Sequence, residues 1–201
     1  VGIDARIVRR GLRRLVAQAQ GLLTGVDAVL VSDYGYGAAT PAVLARVLGR
    51  RRLRVPVVAD SRYRLRAYRR LTAATPSVPE LEEAFHCQIG ADGRLLRQLG
   101  ERLRDEVRAR ALLVTRGRHG MLLLEKDKQP RSIASVGGDQ VTDVTGAGDT
   151  VAAVFTAALA AGASFAQAAE LANYAGGCVV QKRGTATVSR AELLAALNAR
   201  P

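Results

Sequence analysis

Residues 143–149, DVTGAGD, form the pattern best suited to chemistry. Gly146, Ala147 and Gly148 stand just ahead of an alanine-rich stretch that reads as a helix from about 147. At a helix N-terminus the first backbone N–H groups lack intrahelical acceptors and the positive end of the dipole faces outward, so such a turn binds anions. Asp149 in the same turn would repel a resting phosphate. Its presence makes sense if the anion develops during reaction and the carboxylate takes a proton from an attacking hydroxyl. That is the chemistry of phosphoryl transfer: an aligned nucleophile, a base, and donors facing the developing charge. The same spacing also fits an aspartate that merely caps its own helix among turn glycines.

Two other nucleotide motifs can be checked directly. The chain has no G-x-x-x-x-G-K-[ST], which excludes a P-loop enzyme. Gly146 and Gly148 begin like a dinucleotide fingerprint, but Val151 fills the third glycine position.

The turn needs a scaffold, and the rest of the chain supplies an alternating one. A helix is expected over 5–20, with Val8, Leu12, Leu15, Val16 and Ala19 on one face and Gly21 as its stop. Apolar runs at 28–32, 55–60, 71–76 and 111–115 read as strands. Thr40 and Pro41 open a helix that ends near Gly49, and Leu96, Leu99, Leu103 and Val107 line another. Residues 120–127 and 131–135 read as a hairpin or meander. A short β-like segment is expected just before Asp143, and helices over 147–162, 164–181 and 189–199 follow. Strands alternating with helices predict an α/β fold, a mostly parallel sheet covered on both faces. Ligands in such sheets bind beyond the carboxyl ends of the strands. Polar clusters fall there: Ser32-Asp33, Asp60-Ser61-Arg62, Thr75-Pro76-Ser77 and Thr115-Arg116-Gly117. Each of them also suits an ordinary turn.

Composition narrows the field further. In 201 residues, 48% hydrophobic and 24% charged is the balance of a globular domain, with length enough for a core. No apolar run approaches the roughly 20 residues of a membrane helix, and no signal-peptide pattern opens the chain. A cytoplasmic location without membrane association is expected. Cys87 and Cys178 are alone and read as buried small hydrophobes, and His86 and His119 have no partners at ligand spacing. The net charge of +12 comes mostly from arginines before Ala111, read as solvated helix faces such as Arg66, Arg69 and Arg70. Aromatics make up 4%, too few for a base-stacking platform, so nucleic acid is not the expected partner. Arg62 and Arg64, near a strand end, are placed to meet phosphate.

The signature D-[TV]-T-G-A-G-D resembles that of the PfkB/ribokinase-type carbohydrate kinases. Within that superfamily, residues 32–37, 75–84, 112–124 and 141–155 most resemble the heptose 7-phosphate kinases, the kinase part of bifunctional ADP-heptose synthesis proteins. The resemblance runs from about Asp27 to Leu197 and implies a three-layer α/β/α fold in one domain over 1–201. It implies an ATP-dependent kinase acting on a hydroxyl of a sugar phosphate, with Mg2+ and a monovalent cation such as K+. Asp149 resembles the catalytic base, and Gly146, Ala147 and Gly148 the anion hole. Thr115, Gly117 and Gly120 match the T-x-G-x-x-G segment along the ATP, and Asn173 matches a position near the adenine. Glu80 falls on the acidic position of N-x-x-E, which organises magnesium through water. Asp143, Thr145 and Gly184 resemble the monovalent-cation site. The acceptor side then falls to Asp33 and Arg62.

The chain departs from that pattern in four places. Ser77 replaces the Asn of N-x-x-E, Asp60-Ser61-Arg62 replaces D-P-K, and Tyr36 replaces the Lys of D-Y-A-K-G. Relative to the family, the opening strands, most sugar contacts and the lid are expected to be missing, roughly the first third. A chain of that form should turn over poorly by itself and associate through the uncovered sheet edge, as a homo-oligomer. Besides the kinase, two readings remain open: a nucleotide-binding module without turnover, and a basic nucleic-acid-binding domain. Nucleotide binding without sugar phosphorylation marks the first of these. Salt-dependent DNA binding marks the second.

Overall fold

The computed structural model describes residues 5–49, 54–136 and 142–199, with the side chains of residues 5–8 left aside. Helix α1 (Ala5–Leu22) precedes strand β1 (Val29–Asp33), α2 (Pro41–Leu48), β2 (Val57–Ser61) and the two-residue β3 (Ala73–Ala74). Then come α3 (Val78–Phe85), α4 (Gly93–Val107), β4 (Ala111–Thr115), β5 (Met121–Glu125) and β6 (Arg131–Ile133). Helices α5 (Ala147–Ala160), α6 (Phe165–Val180) and α7 (Arg190–Asn198) complete it.

The six strands form one sheet in chain order. β1 to β4 are parallel, and β5 and β6 fold back antiparallel as a meander. Alternation along each strand divides the core in two. Val57 and Ala59, with Leu112 and Val114, face a cluster under α2 and α4 that includes Leu48, Leu99, Leu103 and Val107. Val58, Ala111 and Leu113 face the opposite cluster, packed by Phe155 of α5 and Ala168 and Ala172 of α6. Helices therefore cover both faces, giving three layers. Small residues set two of the close approaches. A side chain on Gly100 would meet Leu124 of β5, and one on Gly177 would meet the Val136 carbonyl.

Most expected elements are present, with corrections. α1 continues past Gly21 to Leu22, and of its expected face the Val8 side chain lies outside the described residues. The β-like segment before Asp143 falls largely on residues 137–141, also outside them. The run over 71–76 narrows to two strand residues because Thr75 and Pro76 already turn into α3. α3 itself went unread, although Ser77 and Glu80 form a capping box with proline in the first turn. Cys87 and Cys178 are partly exposed rather than buried. Arg66 is not on a solvated helix face. It sits in a short 3-10 turn, pairs with Glu106, donates to the Ala84 carbonyl and lies over the Phe85 ring. Among the described residues no helix is long and apolar enough to cross a membrane.

Candidate active site

The carboxyl ends of β1 and β2 and the N-terminus of α5 enclose a cleft of about 170 Å³. Ser32, Asp33 and Tyr34 reach it from β1 and the loop beyond, Asp60 and Arg62 from β2, Glu80 from α3, and Gly148 and Asp149 from α5. A larger hollow of about 450 Å³ lies at the opposite end of the strands, by Pro56, Thr72 and Arg110, and shares no residue with this cleft.

The wall from α5 is made of backbone. Gly146 is the N-cap in the left-handed region (φ +78°), which glycine enters without strain, and it offers no side-chain cap. The Ala147 amide closes a turn onto the Val144 carbonyl at 3.2 Å, and Thr150 donates to Gly146 at 3.0 Å. Between them the amides of Gly148 and Asp149 have no acceptor among the described residues. Of the expected donors, Ala147 is already engaged, whereas the Gly146 amide, like that of Gly148, has no acceptor among the described residues. Asp149 lies in the first turn, exposed, and its Oδ1 accepts the Tyr34 hydroxyl at 2.5 Å.

The loop leading into α5 is tied down by Asp143. Its Oδ1 accepts the Thr145 amide at 2.9 Å and its Oδ2 the Gly184 amide at 3.0 Å. Those bonds, Thr145 first, hold its carboxyl below the usual carboxylate range. Asp143, Thr145 and Gly184 are therefore brought together through hydrogen bonds. Each Asp143 oxygen keeps a lone pair, so the carboxylate is still able to meet a monovalent cation.

The facing wall is made of side chains. Asp33 is 3% exposed, and its carboxylate accepts from Ser61 Oγ (3.1 Å), Arg64 Nη1 (3.2 Å), Tyr68 Oη (2.9 Å) and the Gly35 amide (2.9 Å). Its oxygens are spent on anchoring the loop. Arg64 also donates to the Gly35 carbonyl at 2.9 Å, so this guanidinium holds chain rather than standing ready for phosphate. Burial, then the bond to Asp33, raises the Tyr68 phenol well above its ordinary range. Arg62 is exposed, makes no ion pair among the described residues and lies 5.5 Å from the Tyr63 ring centre. Among the described residues it is the free cation of the cleft.

Besides Asp33, three carboxylates, Asp60, Glu80 and Asp149, share this space. Burial, followed by the charges of Glu80 and Asp149, pushes the Asp60 carboxyl up from 3.8 to about 7. Such uncompensated negative charge suits a cation. No trio of acidic, His or Cys side chains among the described residues is close enough to ligate one directly, so a divalent ion would be held through water and phosphate. Glu80 has one oxygen for it, because Oε2 accepts the Ser77 amide at 2.7 Å.

The remaining predicted residues gather at the neighbouring hairpin. Thr115 ends β4 and donates its amide to Pro76 at 2.9 Å. Gly117 (φ +55°) opens a 3-10 turn, and Gly120 (φ +73°) tolerates no side chain, since a Cβ would lie 2.0 Å from the Ile133 carbonyl. Asn173 is buried on α6 and donates to the Ala134 carbonyl at 2.6 Å. Gly120 and Asn173 thus meet the same segment after β6. Sequence reasoning passed over the Tyr34 bond to Asp149 and the Tyr68 and Arg64 bonds to Asp33, partners too distant in the chain for spacing to reveal.

A model of the pfkB family carbohydrate kinases matches residues 36–192. The bifunctional protein HldE of Geobacter sulfurreducens is 43% identical over 187 residues, and that of Trichlorobacter lovleyi 40% over 188. Each alignment takes in 92% of this chain and 38% of the relative, so the chain spans well under half their length. Among solved structures, Arabidopsis thaliana ribokinase complexed with ribose and ATP superposes with a TM-score of 0.74 at 21% identity, covering 90% of this chain and 58% of that one. Escherichia coli phosphofructokinase-2 in complex with potassium gives 0.80 at 16%, covering 93% and 61%. These two likenesses establish a ribokinase-like fold. With the signature turn at the head of α5 and the family match over most of its length, the chain belongs to the pfkB family of carbohydrate kinases.

Proposed function

We propose that the protein transfers the γ-phosphoryl group of ATP to a hydroxyl of a sugar phosphate, a heptose 7-phosphate or a close relative. The observation that carries this is the pairing of Asp149 with the open amides of Gly148 and Asp149 in a cleft that also holds Arg62. Asp149 takes the proton from the acceptor hydroxyl as that oxygen bonds to the γ-phosphorus and the bond to the β–γ bridging oxygen breaks. The amides at the head of α5 stabilise the charge on the transferring group. Arg62, unpaired at the mouth, binds the acceptor's own phosphate. Asp33 keeps the acceptor side in shape through Arg64 and Tyr68. A bound Mg2+ supplies neutralisation of phosphate charge, with Glu80 and Asp60 as its water-mediated supports. A bound K+ beside Asp143, Thr145 and Gly184 would stiffen the loop. Thr115, Gly117, Gly120 and Asn173 frame the nucleotide's path.

The sugar assignment rests on the identity to HldE proteins together with the heptose-kinase-like runs, not on the cleft. We further read residues 1–201 as one ribokinase-like domain, working in the cytoplasm where ATP is supplied. A homo-oligomer formed along β1, one of the two outer strands of the described sheet, suits that edge, where Leu30 is 37% exposed. One observation favours a nucleotide-binding module without turnover: the capping box that occupies Glu80. A panel of sugar phosphates incubated with ATP and magnesium separates the two. Heptose 7-phosphate should be converted fastest, with one ADP per bisphosphate formed. ATP binding with no sugar phosphorylated would select the module.

A further inference from the structure

The Tyr34 hydroxyl reaches Asp149 across 115 positions of chain. No other hydrogen bond or ion pair among the described residues involves that carboxylate. Tyr34 is 49% exposed and follows the end of β1, so its ring is not part of the core. The root of its loop is fixed, because Asp33 accepts the Gly35 amide and Arg64 donates to the Gly35 carbonyl. Beyond it the tip is exposed, with Tyr36 at 94%. The phenol can therefore leave Asp149 without disrupting buried packing.

Resting on the reading of Asp149 as the base, the geometry points to Tyr34 as a partial gate: its hydroxyl occupies one of the two carboxylate oxygens open to the acceptor, and the acceptor's hydroxyl competes with it there. A base beside an open anion hole serves water as readily as sugar. In that side reaction a water oxygen bonds to the γ-phosphorus, the bond to the β–γ bridging oxygen breaks, and Asp149 takes the proton, releasing ADP and phosphate. A phenol seated on Oδ1 competes with water for that oxygen and leaves Oδ2 as the open one. The sugar replaces it like for like, hydroxyl for hydroxyl, and brings a phosphate for Arg62 that water lacks. While it rests on Asp149 the phenol is a firm donor, since that bond, then burial, push its pKa up to about 12.

The test compares wild type, Tyr34→Phe, Asp149→Asn and the double variant. ATP binding is measured by equilibrium dialysis, and ADP release with magnesium but no sugar by a coupled assay. Tyr34→Phe keeps the ring, and a thermal melt checks that it folds. We expect its acceptor-free ADP release to rise about 3- to 10-fold, the scale of one lost hydrogen bond at an exposed site, and Asp149→Asn to cancel the rise. The KM for the sugar phosphate should fall, because the acceptor no longer competes with a phenol. If both proteins bind ATP and Tyr34→Phe hydrolyses it no faster than wild type, the gate is overturned and the kinase reading stands. A fall in both hydrolysis and transfer overturns it too, making Tyr34 an orienting group for the base. If neither protein binds ATP, the kinase reading fails and takes the gate with it.

Discussion

The two walls of the cleft are built from different materials. The α5 wall is backbone: a left-handed glycine, three open amides and one carboxylate within four consecutive residues. The facing wall is side chains, with Asp33 holding Ser61, Arg64 and Tyr68 from a single stretch about thirty residues further along the chain. A backbone site depends on local conformation, so a short run of glycines specifies it. A side-chain wall depends on long-range partners, and exchanging one of them reshapes the site without disturbing the fold. Here the α5 wall keeps the family signature, while the facing wall carries Asp60-Ser61-Arg62 and Tyr36 where the family pattern has D-P-K and a lysine.

That contrast ranks the expected losses. Asp149→Asn should lower phosphoryl transfer by about 10²–10⁴-fold while ATP affinity stays within a few-fold, as steady-state rates and dialysis would register. Equal loss of binding and transfer would make the residue a structural cap. Asp33→Ala should cost about 2 to 3 kcal/mol in urea unfolding, because it strands Arg64 and Tyr68, and should raise the acceptor KM more than the ATP KM. Gly146→Ala should cost about 1 kcal/mol for the strained left-handed residue and weaken ATP first. The two variants thus push the two substrates' constants apart, and identical KM profiles would dissolve the distinction between the walls.

Asp60 gives a pH test. Its carboxyl is raised to about 7 in the folded chain against an ordinary 3.8, by burial first. The folded state therefore holds a proton that the unfolded state has lost, so stability falls as pH rises from about 4 to 7. Asp60→Asn should flatten that slope in melts across the range. A slope that persists in the variant would assign it to another group.

Legibility followed the same division. The start of α5, the Thr40-Pro41 cap of α2 and the buried strands were readable because each is set by neighbours in sequence. α3 was missed because Ser77 and Glu80 were read as a magnesium motif, when their nearest use is capping a helix. The gate on Asp149 was invisible, since nothing in the spacing of Tyr34 and Asp149 links them until β1 and α5 are brought side by side. Asp33 was picked out correctly as a residue of the strand end, yet its four bonds turn it inward.

The division of labour between the walls is the central claim, and amide hydrogen exchange tests it most directly with each ligand alone. A non-hydrolysable ATP analogue with magnesium should slow exchange at residues 146–150 and leave 33–37 and 61–64 nearly unchanged. Heptose 7-phosphate should do the reverse. Protection by both ligands at the same wall, or by neither at residues 146–150, would contradict the account.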